Sequence, residues 1–109
     1  MDIVNELNEK INSLNIQIGT LSKNGSEYAK AYTDYRMELA KELVKLKKEG
    51  YAITLAGDIA RGNPEIARLK YKEIATEAIY KANLESINAT KLCIKVLENQ
   101  IEREFNNIE

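Results

Sequence analysis

The chain has 109 residues, sixteen basic and seventeen acidic, so it holds one domain at most and its net charge of −1 gives no overall pull toward polyanions. Five glycines and one proline leave little room for turns, and an apolar share of 44% is too high for disorder. With no histidine and a single cysteine, the usual general base, the histidine-containing triads and an internal disulfide are all excluded.

The first pattern predicts a helix over about residues 2–48. Val4, Leu7, Ile11, Leu14, Ile18 and Leu21 recur at steps of three and four, the seam of a coiled coil. Lys23-Asn24-Gly25-Ser26 looks like a break, with Ser26 able to cap a new helix. The phase nevertheless carries on through Gly25 to Tyr28, Tyr32, Tyr35, Leu39 and Leu46, which favours one helix over two. One internal glycine costs about 1 kcal/mol against alanine, which packing can absorb. The tyrosines Tyr28, Tyr32 and Tyr35 lie on this seam, so core packing outweighs base stacking as their expected role.

Residues 49–63 form a tip between two long patterns. Glu49-Gly50 is a stop signal, with Lys45, Lys47 and Lys48 at the negative end of the helix dipole. Ile53, Leu55 and Ile59 suit a short helix beginning near Thr54, for which Gly62 is the expected left-handed cap. Asn63-Pro64-Glu65 then starts a helix: Asn caps, Pro fits the first turn, and Glu complements the dipole.

The last pattern runs over residues 64–106. One stripe is large (Tyr80, Leu84, Ile87, Ile94, Leu97, Ile101, Phe105) and another is rich in small residues (Ala67, Tyr71, Ile74, Ala75, Ala78, Ala82, Ala89, Cys93, Val96). A helix apolar on two faces is covered on two sides. Two helices of roughly 45 residues, each about 65 Å long, therefore imply an antiparallel hairpin that assembles with further copies into a bundle. The fold class expected is all-α, a single helical domain in a homo-oligomer. Val4, Leu7, Ile11, Leu14, Ile18, Leu21, Ile94, Leu97, Ile101 and Phe105 are its core and oligomer seam.

Chemistry is sparse. Cys93 sits mid-helix among apolar neighbours and reads as a small buried hydrophobe. Glu38/Glu42 and Glu73/Glu77 stand at helical spacing, but in so mixed a charge pattern a solvated, ion-paired face explains them better than a metal site. Asp34 to Glu38 only loosely resembles the carboxylate clusters of helical pyrophosphohydrolases. Gly57 to Gly62 lacks the spacing of a phosphate-binding loop. No catalytic residue, metal ligand or cofactor is expected, and the chain reads as non-enzymatic.

Charge is unevenly spread. From Lys41 to Lys72 eight bases face four acids, while the opposite end collects seven acids against three bases. Dipole complementation accounts for part of this. The rest points to a tip that meets an anionic surface, with Lys48, Tyr51, Arg61, Asn63, Arg68 and Lys70 as candidate binding residues. Arg61 stands just before a capped helix start, where free N–H groups favour anions. No apolar run reaches the roughly 20 residues of a membrane span, and MDIVNELNEK lacks the basic start of a signal peptide.

From Arg36 through Phe105 the chain resembles small helical proteins encoded in phages and prophages of Gram-positive bacteria. The residues that carry the likeness are Glu49-Gly50-Tyr51, Asp58-Ile59-Ala60-Arg61-Gly62, Glu65-Ile66-Ala67-Arg68-Leu69 and Leu97-Glu98-Asn99-Gln100-Ile101-Glu102. The resemblance implies a phage setting, where small acidic or neutral helical proteins often inhibit host machinery or counter defence systems, and the acidic N-terminal stretch and lone Cys93 lead to the expectation of the bacterial host cytoplasm. The leading expectation is therefore an oligomeric protein that binds and modulates a host or phage protein. A nucleotide-signal binder comes next. A nucleic-acid accessory factor using the basic tip comes last, set back by a sequence pI of about 5.6 and the lack of a reader motif.

Overall fold

The computed structural model describes residues 2–108, and the chain is all-α. Three helices follow in order: α1 (Ile3–Lys48), α2 (Ile53–Gly62) and α3 (Pro64–Ile108), with no strand among the described residues. No helix among them is long and apolar enough to cross a membrane.

Each boundary has a local cause. Asp2 opens α1 by accepting the Val4 N–H at 2.9 Å on its carboxylate. The close of α1 is a Schellman turn. Gly50 takes φ +96°, its N–H bonds the Lys47 carbonyl at 3.1 Å, and the Tyr51 N–H reaches back to Leu46 at 3.2 Å. Asn63 caps α3, its side-chain oxygen accepting from Glu65 N–H at 2.9 Å and Ile66 N–H at 3.4 Å. Gly62 is not the left-handed cap its position suggests, for Gly50 alone among the described residues has positive φ. Asn63 ends α2 instead, extended at φ −65° and ψ 127°. The ring of Pro64 disfavours helical geometry in the residue before it, so proline stops α2 and starts α3.

The chain divides into two compact units. One comprises residues 24–80. Its core is Tyr35, Leu39 and Leu46 from α1, Ala56 and Ala60 from α2, and Ile66 and Leu69 from α3, with Leu43 packed alongside. The small buried faces of Ala56, Gly57 and Ala60 let α2 lie close against its neighbours. Further along, Tyr28 stacks on Tyr80 with ring centroids 6.0 Å apart and donates to Glu77 at 3.0 Å. Pairing Tyr28 with Tyr80 and Tyr35 with Lys70 makes α1 and α3 antiparallel here.

The other unit takes α1 up to Lys23 and α3 from Lys81. Ile87, Thr90 and Leu97 are buried in it, and the Asn83 amide donates to the Gln17 carbonyl at 3.0 Å.

The large stripe expected on α3 is sheltered from Tyr80 through Leu84, Ile87, Ile94 and Leu97 to Ile101, whereas the other stripes are only partly covered. On α3 the sheltered positions include Ile66, Leu69, Glu73, Thr76 and Tyr80 in one unit, and Asn83, Ile87, Thr90, Ile94, Leu97 and Ile101 in the other, with Ala75, Glu77 and Leu84 half-buried at the flanks. The seam residues follow steps of three and four, and the polar ones among them, Glu73, Thr76, Asn83 and Thr90, are the positions a search for apolar residues passes over. On α1, Leu7, Leu14 and Leu21 are half-buried together with Lys10 and Gln17, whereas Val4, Ile11 and Ile18 are exposed. A single neighbouring helix covers only one flank of a seam suited to a bundle. Tyr32 is also exposed, so two of the three ladder tyrosines pack. Phe105 is exposed, and Cys93, expected inside, lies at the surface because the seam passes it by through Thr90, Ile94 and Leu97.

Candidate anion- and partner-binding surface at the tip

The six tip residues separate once their partners are known. Arg68 bonds Glu65 on its own helix through Nη2 at 2.6 Å and Nε at 3.2 Å. That fork holds the Glu65 carboxyl below its ordinary pKa and raises the Arg68 guanidinium above its own. Lys70 donates to Glu73 at 3.0 Å, which raises the lysine pKa, and its ammonium stands 4.8 Å from the centre of the Tyr35 ring. Lys48 is exposed in the last turn of α1, and Tyr51 is exposed just beyond Gly50.

Arg61 differs from the other arginine and from Lys70. It has no ion-pair partner among the described residues. Its guanidinium reaches back along α2 over Gly57, where an added Cβ would lie 2.9 Å from Nη1. Helical side chains lean toward the preceding turn, so glycine four residues earlier leaves the space that Arg61 occupies. Arg61 and Lys70 line a surface depression of about 340 Å³ with Tyr35, Ile66 and Ala67. Two cations, an aromatic face and an aliphatic wall thus share one hollow.

The helix-start component of the expected site is lost. Pro64 has no N–H, those of Glu65 and Ile66 are taken by the Asn63 side chain, and that of Ala67 bonds the Asn63 carbonyl at 2.8 Å. An anion beside Arg61 meets no open donor there. Capping and anion binding draw on the same N–H groups, and here capping takes them all.

Sequence reasoning placed Arg61 and Lys70 in the site but assigned Tyr35 to the core. Tyr35 does both: its ring is buried, and its face carries Lys70. No local signal joins residues 35 positions apart; only the antiparallel pairing does. Carboxylates are dispersed as well. Glu38 pairs with Lys41 and Glu73 with Lys70, and among the described residues no three histidine, cysteine, aspartate or glutamate side chains gather as a metal set. Compared with known proteins, the chain matches no family model, no curated protein and no solved structure.

Proposed function

We propose that the chain is a non-enzymatic interaction protein that works as a homo-oligomer and binds a further protein, modulating it. The observation that carries this reading is the outward face of α3. Tyr71 is 75% exposed, Ile74 56%, Leu92 64% and Val96 53%, all on the side turned away from the inward seam. Large apolar side chains in a regular helical row mark a contact surface, whereas scattered ones do not. A second apolar row, Val4, Ile11 and Ile18 on α1, leaves a surface for another protein. The phage resemblance makes that protein a host or phage component in the bacterial cytoplasm.

Light scattering at micromolar concentration tests the first half: a stable monomer is the result that removes it. For the second half, Ile11→Asp/Ile18→Asp should abolish capture of whichever host protein the wild type retains, with oligomer mass unchanged. Equal capture by both would shift attention away from α1.

A second reading rests on the hollow at Arg61. Its paired cations and aromatic face suit a small phosphorylated ligand such as a nucleotide better than a duplex, which would need a broad basic surface.

A further inference from the structure

We propose that the hollow at Arg61 takes a singly charged oxyanion on a small, largely apolar body, gripped by the Arg61 guanidinium and the Tyr35 hydroxyl. The inference rests on the small-ligand reading of that hollow and gives it a charge and a second contact.

The charge follows from which cation is open. Lys70 is already balanced: it donates to Glu73 at 3.0 Å, and Glu77 adds to the negative field around it. Glu73 is itself buried, so it stays beside Lys70 and does not turn to solvent. Arg61 has no carboxylate within ion-pair distance among the described residues. The hollow therefore presents one uncompensated positive charge. Each further negative charge on a ligand meets the carboxylates behind Lys70.

The second contact comes from Tyr35. Its ring is buried and one face lies under the Lys70 ammonium, so that face is taken. Its hydroxyl has no hydrogen-bond partner among the described residues. It is nevertheless open to solvent, for Gln17 Oε1 is the one enclosed side-chain atom among those residues that lacks a partner. Buried tyrosines ordinarily find a partner for the hydroxyl. On this ring, which lines the hollow beside Arg61, the hydroxyl is left for a ligand. A guanidinium and a hydroxyl together suit the two free oxygens of a phosphate diester or of a carboxylate. Ile66 and Ala67 supply the wall for the apolar body.

Calorimetry at low salt with adenosine derivatives of graded charge tests this. Cyclic adenosine monophosphate and adenosine 5′-carboxylate carry one negative charge each. At least one of them should bind as tightly as the triphosphate or tighter, and adenosine itself should not bind. Tyr35→Phe keeps the ring and the Lys70 contact, and should weaken that binding about ten-fold or more, the range for a hydrogen bond to a charged group. Arg61→Gln should abolish it. The charge order is read on the wild type alone, so it decides whatever the variants do to folding. Binding of the carboxylate without the diester would keep the inference and remove the phosphorylated-ligand reading. Affinity that rises with every added phosphate, or full affinity in a folded Tyr35→Phe, would overturn the inference and leave the nucleotide reading standing. If no derivative binds, both fall.

Discussion

Gly25 and Tyr80 are matched across the helix pair: a Cβ on Gly25 would stand 3.3 Å from Cε1 of the Tyr80 ring. That ring stacks on Tyr28, three residues further along α1. The residue that looks like a helix breaker is thus a seat for an aromatic side chain, and the helix continues through it. Gly25→Ala gains about 1 kcal/mol of helix propensity and loses part of it to crowding of the ring. A net change within about 1 kcal/mol is expected. Gly25→Leu should displace Tyr80 and lower stability by about 1–3 kcal/mol, read from the urea midpoint. A neutral Leu variant would mean the ring does not rest there.

The two stops of the tip differ in kind, and so should their variants. Gly50 needs its left-handed φ, and Gly50→Ala should cost about 1–2 kcal/mol. Gly62 has an ordinary φ and open space around it, so Gly62→Ala should be neutral or mildly stabilising. Asn63→Ala removes the cap of α3 and should cost about 1 kcal/mol. Chemical denaturation of the three variants in parallel orders them; equal effects at Gly50 and Gly62 would contradict the turn assignment.

Much of this architecture was legible and some of it was not, for a physical reason. Helix starts and stops at Asp2, Gly50, Asn63 and Pro64 are local, because caps act within a few residues. The continuity through Gly25 was readable from the unbroken three-four phase. The inward register was readable only in part: the large stripe of α3 faces inward from Tyr80 to Ile101, but elsewhere the covered face was not readable. Lys10 and Gln17 on α1 and Glu73, Asn83 and Thr90 on α3 face inward because their neighbours' apolar faces lead them there, while Val4, Ile11 and Tyr71 stay out. Hydrophobic pattern says which faces want cover, not which of two faces the chain itself covers. The candidate site shows the same division: Arg61 was found by its charge, whereas its companion Tyr35 came from a distant helix turn.

Acid should weaken the start of α3. The Arg68 hydrogen bond lowers the Glu65 pKa in the folded chain, with burial acting slightly against it. A depressed carboxyl pKa stabilises the fold above the ordinary carboxylate value, and that contribution disappears as pH falls through the lowered one. Glu65→Gln should therefore have a lower melting temperature than wild type at neutral pH and the same one in strong acid. Lys70 acts with the opposite sign. Its pKa is raised mainly by Glu73, so its contribution is complete below the ordinary lysine value and fades as pH climbs through the raised one. A Glu65→Gln difference that stays constant with pH would mean the pair with Arg68 has no weight.

If the hollow binds anions, Arg61 should matter more than Arg68. Glu65 already answers Arg68 through two hydrogen bonds, and withdrawing the arginine costs both. Arg61 has no such competitor among the described residues, and it lines the hollow with Lys70 and Tyr35. Titrated with a nucleoside triphosphate at low salt, Arg61→Glu should lose binding, whereas Arg68→Glu should lose no more than a few-fold. Gly57→Ala offers a finer test. Its methyl group would collide with the guanidinium at 2.9 Å and move Arg61 while preserving its charge. Weaker binding in Gly57→Ala at unchanged helicity would show that the position of Arg61 matters as well as its sign. Binding that survives all three variants would return the positive tip to dipole complementation by Lys45, Lys47 and Lys48 at the end of α1.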